Sequence, residues 1–289
     1  MNAPVKIPLD SAPLESPTPD DLTITVRDLR FGRGSKPGRW WLNGDPVATA
    51  WYNSLSAVFP RGEAFFIDAV KAHREGVPPH LAEEIRAFIA QEINHTREHV
   101  AFNRLAIEAG YDLTEIDRRL EEFLGMTRGR PPIINLAATM ALEHFTAMLA
   151  HEFLKSPEHF AGAEGDTAEL WRWHAIEEIE HKAVAFDTWL HATKDWSRWK
   201  RWKLKSLMML IITKNFLGHR VGDMVRLMAQ DGITGWKVKW RILSFLFVTP
   251  GVLRRIVPAW LSYFLPGFHP WNHDDRALIA EAQAVLKAG

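Results

Sequence analysis

Apolar residues recur at three- and four-residue spacing through five stretches of the chain, 50–73, 79–109, 113–124, 132–154 and 167–193, and this period predicts amphipathic helices. Pro78-Pro79, Pro131-Pro132 and Pro157 punctuate them, because proline lacks the amide that continues a helix. Several stretches exceed the mean globular helix of about 11–12 residues and no run of strands separates them, so the expected fold is an all-α bundle. Only LTITVRDL alternates, within a 22–45 segment that turns Gly- and Pro-rich, so a short-strand or irregular lead-in is expected there. Residues 1–21 are rich in Pro and Ser and lack the charged start and apolar run of a secretory signal, and they read as a disordered tail. The apolar runs at 207–212 and 242–248 fall far short of the roughly 18 residues of a membrane span. A soluble, intracellular protein is the expectation.

The polar positions carry the chemistry. In QEINHTREH, Glu92 and His95 lie three apart on one helix, within about 60° of each other on its surface, so both can grip one ion. WHAIEEIEHKAVAFD repeats the pattern as Glu178 and His181, with His174 one turn earlier on the same face. Single acids fall on the other two long helices, Glu63 in FPRGEAFF and Glu143 in ATMALEHFTAM, amid Phe, Ala, Met and Leu. A carboxylate in apolar text needs a partner. The order Glu, Glu-x-x-His, Glu, Glu-x-x-His matches ferritin-like dimetal carboxylate bundles, where carboxylates offset the charge of two adjacent ions and each ion takes an imidazole. One Glu-x-x-His alone is a common surface pair; two copies with two flanking acids are far harder to explain by coincidence. His99 lies about 20° from Glu92 on the helical wheel and is a further contact to weigh, as is Glu177, four residues before His181. His144 points about 100° away from Glu143 and is expected to support structure. His151, His159 and His191 read as surface or core-edge positions, and Asp187 as either a partner for an imidazole or a solvated acid.

Composition narrows the metal. The chain has no cysteine among its 289 residues, which excludes thiolate zinc sites, iron–sulfur clusters and disulfides, and leaves iron, manganese or zinc on His and carboxylate donors. The group His174-x-x-x-Glu178-x-x-His181 resembles that of the p-aminobenzoate N-oxygenase group of di-iron enzymes, in which an additional histidine joins the usual set. More widely, FPRGEAFF, QEINHTREHVAFN, ALEHFTA and WHAIEEIEHKAVAFD resemble a bacterial family labelled predicted metal-dependent hydrolases, over most of the chain after about residue 40. The resemblance implies a metal set of Glu63, Glu92, His95, Glu143, His174, Glu178 and His181 and favours His174 over His99, while Glu178 ranks before Glu177 because it preserves the paired motif. The expected activity is a di-iron oxygenase or oxidase that activates dioxygen against a small or lipid-like apolar substrate. A dinuclear hydrolase is the first alternative and metal storage the second. With no Gly-rich dinucleotide fingerprint, an oxygenase needs electrons from a separate donor or from its substrate.

Beyond residue 195 the text changes. Residues 196–260 carry 13 Lys or Arg against Asp223 and Asp231, a net +11, while the whole chain sums to zero. WSRWKRWKLK and GWKVKWR interleave tryptophans with these cations, the composition of interfacial helices on an anionic membrane, although helices that simply pack on a bundle look alike in sequence. The expected organisation is a tail at 1–21, a dimetal bundle at 22–195 and an amphipathic helical extension at 196–289. The expected location is cytoplasmic, peripheral to the inner face of the membrane. No nucleic-acid module is present, and a homodimer is the default assembly.

Overall fold

The computed structural model describes residues 17–19, 21–33 and 36–288, so the tail expected at 1–21 falls almost wholly outside the described residues. The described chain is all-α: α1 (Pro46–Ser56), α2 (Phe59–Lys71), α3 (Pro79–Glu108), α4 (Thr114–Gly125), α5 (Pro132–Lys155), α6 (Thr167–Glu180), α7 (Val184–Ala192), α8 (Arg198–Gln230), α9 (Trp236–Phe247), α10 (Val252–Ser262) and α11 (Arg276–Ala288).

Helix starts follow local chemistry. Prolines occupy the first turns of α1, α2, α3 and α5, where a missing amide costs nothing, and the side chains of Asp45 and Ser197 cap α1 and α8. Two stretches expected as single helices are each broken in two. Residues 50–73 divide between α1 and α2 because Pro60 cannot donate to the Ser56 carbonyl and its ring crowds it. Residues 167–193 divide after Glu180, with His181 at φ −98° and ψ 4°, so α7 restarts at Val184.

The lead-in forms no strand among the described residues; the isolated bridge Leu42 to Ala163 is its one pairing of strand type there. Its amides are taken by carboxylates instead of a neighbouring strand. Thr25 N donates to Glu180 (3.1 Å), Arg27 N to Glu177 (3.0 Å), Phe31 N to Glu98 (2.7 Å) and Gly32 N to Asp166 (2.7 Å). The segment is a strap laid over α3 and α6.

Helices α2, α3, α5 and α6 pack around a common interior, with α5 also against α7, α8 and α10. One continuous apolar core runs from Phe31 through Trp51, Phe88, Leu136 and Trp173 to Met209 and Tyr263. By length and composition α5 could cross a membrane, which the run-length reading did not anticipate, and α9 with α10 forms a bent pair that also qualifies. Two thirds of that α5 window is buried inside the protein, as expected for a central helix. His159, expected at the surface or core edge, is buried and pairs with Glu152 (3.0 Å).

Candidate metal centre

Four helices deliver the acids and imidazoles to one place: Glu63 from α2, Glu92 and His95 from α3, Glu143 from α5, His174 and Glu178 from α6, and His181 from the break after it. None of these seven is more than 4% exposed. Their donor atoms fall into three overlapping groups, Glu63–His95–His174, Glu92–His95–Glu178 and Glu92–Glu143–His181, each with its atoms within 4.8 Å of one another. His181 Nε2 stands 3.4 Å from Glu92 Oε1, 3.4 Å from Glu143 Oε2 and 3.6 Å from Glu178 Oε1. His95 Nδ1 stands 3.5 Å from Glu178 Oε1 and 3.8 Å from Glu92 Oε2. Glu92 thus turns one oxygen toward each histidine.

The surroundings fix which imidazole nitrogen carries the proton. Gln91 Nε2 donates to the Thr25 carbonyl (3.1 Å) and to Glu180 (3.0 Å), so its Oε1 must accept from His181 Nδ1 (2.9 Å), leaving the Nε2 lone pair facing the acids. Glu177 Oε2 holds His95 Nε2 at 3.1 Å, which turns the Nδ1 lone pair inward. On the third histidine the chain is longer. Asn103 Nδ2 donates to the Ser56 carbonyl (2.9 Å), so Asn103 Oδ1 accepts from Ser56 Oγ (2.7 Å); Ser56 Oγ then accepts from His99 Nδ1 (2.8 Å), and His99 Nε2 accepts from His174 Nδ1 (2.6 Å). His174 Nε2 is left as a lone pair 2.9 Å from Glu178 Oε1.

Three imidazole lone pairs therefore face four carboxylates, a gathering of acceptors without donors. Eight atoms of the cluster, Glu63 Oε1, both oxygens of Glu92 and Glu143, Glu178 Oε2, His95 Nδ1 and His181 Nε2, are buried without a hydrogen-bond partner. Each such atom costs about 1–3 kcal/mol, and eight together rival the whole ~5–15 kcal/mol stability of a domain. Cations resolve the conflict. Four carboxylates match the charge of two divalent ions, and donor separations near 3.4 Å are those left around an ion with bonds of about 2.0–2.1 Å. The residues fit a pair of metal ions.

The acid–base balance of the protein alone points the same way. Burial lifts Glu63 well above the usual carboxylate range and Glu143 to about 8. Burial also opposes charge on His95 and His181, but the acids around them outweigh it and raise both well above an ordinary histidine. Burial pushes Glu178 up too, and the charge on His181 overcomes this and holds it well below. Burial and the neighbouring His95 drive His174 down to about 4. Without metal the cluster recruits protons as its cations.

The residues weighed as alternatives take other places. Glu177 Oε1 accepts from Arg27 N, Arg27 Nη1 and Trp173 Nε1, and its other oxygen orients His95, so it supports the centre from outside. His99 touches the centre only through His174. His144 pairs with the Ala259 carbonyl (3.2 Å) and Asp187 with His269 (2.9 Å). Gln91, Thr96, which donates to Glu63 (2.7 Å), and Ser56 were not singled out in the sequence, because a partner across a helix interface follows from helix rotation and leaves no spacing signal. Rings close the site: Phe88 against His181 (4.9 Å), Trp173 against His95 (4.9 Å) and Phe59 against His174 (4.9 Å between centroids).

No curated protein and no solved structure matches the chain. Residues 25–274, which include every residue of the cluster and its supporting partners, match the family model described as predicted metal-dependent hydrolase. The protein belongs to that family.

Proposed function

We propose that this protein is a ferritin-like di-iron enzyme that activates dioxygen to oxidise or oxygenate a small apolar organic molecule, with electrons from an external donor. The observation that carries the reading is the buried, acceptor-only cluster of four carboxylates and three imidazole lone pairs behind an aromatic wall. Held there, two ferrous ions would supply the reducing electrons that dioxygen chemistry requires. The chain's own residues do the rest. Glu177 and Gln91 fix the tautomers of His95 and His181, and the Ser56–His99 chain fixes that of His174. Phe88, Trp173 and Phe59 keep bulk water from the acids and favour an apolar substrate.

The second reading is hydrolysis at the same dinuclear centre, with one ion polarising a carbonyl or phosphoryl group and the other activating water. The family description favours it. One experiment separates the two: anaerobic reconstitution with ferrous iron, then exposure to oxygen while oxygen uptake and the visible spectrum are followed. Uptake of about one dioxygen per pair of irons, with an oxygen-dependent absorption change, supports the oxygenase or oxidase. No oxygen response, with ester or phosphoester cleavage by the zinc or manganese form, replaces it by the hydrolase.

A further inference from the structure

The N-terminal half of α8 lies beside α10. Trp202 Nε1 donates to the Phe264 carbonyl (2.8 Å), just past the end of α10, and Trp260 Nε1 donates to Thr213 Oγ1 (2.9 Å), so tryptophan side chains bridge the two segments where both pack on α5. Each has buried one face and left another outward. On α8 the outward stripe reads Trp199, Lys203, Leu207, then Leu210 and Ile211 three and four residues on, then Lys214, a spacing that keeps to one side of a helix. On α10 and just beyond, it reads Arg254, Val257, Pro258, Leu261 and Leu265. Leu207, Leu210, Leu261 and Leu265 are each more than half exposed. Arg254 donates from Nε to the Phe247 carbonyl (3.1 Å), which joins the exposed end of α9, Phe247 and Val248, to the same patch.

An apolar stripe of this extent on three adjoining helices is not ordinary surface. Its charges choose the occupant. No carboxylate occurs in residues 198–222, in α9 or in α10, and the two acids within 196–260 are engaged elsewhere, Asp223 with Arg220 and Asp231 with Arg39. Lysines flank the leucines, and Lys200 and Lys203 lie over the Trp196 and Trp199 rings at 3.7 and 5.6 Å. A second copy of the chain seated on this face would set cations against cations. A nucleic acid would offer phosphates but nothing for a row of leucines. An anionic phospholipid bilayer offers both, with phosphates at the depth of Lys and Trp and acyl chains beneath.

We propose that the outward face of α8 and α10, continued by the end of α9, docks the protein on an anionic phospholipid surface. This inference stands apart from the metal reading and survives its failure. The test is co-sedimentation of the full chain with vesicles of phosphatidylcholine alone and of phosphatidylcholine with phosphatidylglycerol, together with the tryptophan emission spectrum. The wild type is expected to bind the anionic vesicles, shift its emission to the blue, and release at high salt. Lys203→Glu with Lys214→Glu, both exposed and remote from the metal cluster, is expected to weaken binding at least about tenfold, since each basic residue near such a surface contributes roughly 1 kcal/mol. Leu210→Glu with Leu261→Glu is expected to abolish it while the helical circular dichroism stays unchanged. Three results overturn the proposal: equal binding to neutral and anionic vesicles, no binding to either, or a concentration-dependent dimer that the leucine variant dissolves.

Discussion

At the scale of single residues, the proposed metal centre is defined as much by the partners of its histidines as by the histidines. A carboxylate or amide on the outer ring nitrogen fixes the tautomer and aims the inner lone pair. Gln91→Leu and Glu177→Gln are therefore expected to lower metal affinity about 10–100-fold without touching a metal donor, as read by competition with a chromophoric chelator. Glu143 makes the opposite case, since both of its oxygens are buried without hydrogen bonds. Glu143→Leu should remove most of the rise in Tm on metal addition. A rise in Tm as large as that of the wild type would mean that Glu143 does not hold the metal. Glu92, His95, Glu178 and His181 were legible as candidates because i and i+3 on one helix must share a face. The Gln91–His181 bond was not legible, because it depends on how α3 and α6 are rotated against each other, and that is set by packing over their whole length.

At the scale of elements, the periodicity locates helices well and their interruptions poorly. Pro60 is visible in the sequence, but the apolar period runs through it, and only the crowded Ser56 carbonyl makes a break. The break after Glu180 has no proline or glycine to announce it. There Lys182, nearly buried, reaches away from the bundle to Asp275 (2.5 Å) and the His273 carbonyl (2.7 Å), with its ammonium over the Trp271 ring. Lys182→Met leaves Asp275 with the His151 imidazole (2.8 Å) as its remaining close partner and should cost about 1–3 kcal/mol, and a double replacement with Asp275→Leu should recover part of it. Equal losses in the single and double variants, measured by urea unfolding, would contradict a coupled pair. Lys205 behaves differently. Burial without a carboxylate drives its amine down to about 7 from an ordinary 10.5, so between those values the unfolded chain holds a proton that the folded chain has shed. The stability cost of its desolvated ammonium should be fully present below that window and be relieved as pH rises across it. Lys205→Met should flatten the rise in Tm from pH 7 to 9 and raise Tm at pH 6.

At the scale of the whole molecule, acid and base are segregated: carboxylates converge inside the bundle, and most of the cations of residues 196–260 lie on its exterior. The net +11 of residues 196–260 was readable as a number, yet only the structure assigns its apolar stripes to a shared surface, because the neighbourhood of α8 and α10 is a tertiary fact. The alternation at 22–33 leaves a short strand or an irregular lead-in open, and the structure takes the irregular one. Its amides instead serve Glu177, Glu180 and Glu98, so a polar–apolar alternation that resembles a sheet edge here closes the bundle.

The central claim is that the interior cluster holds two metal ions. Metal content per chain decides it, measured on protein loaded anaerobically with ferrous iron and freed of excess, beside Glu92→Ala, whose side chain faces both His95 and His181. About two ions in the wild type and fewer than one in the variant is the predicted result. One ion or none in the wild type, or two retained by Glu92→Ala, would contradict it.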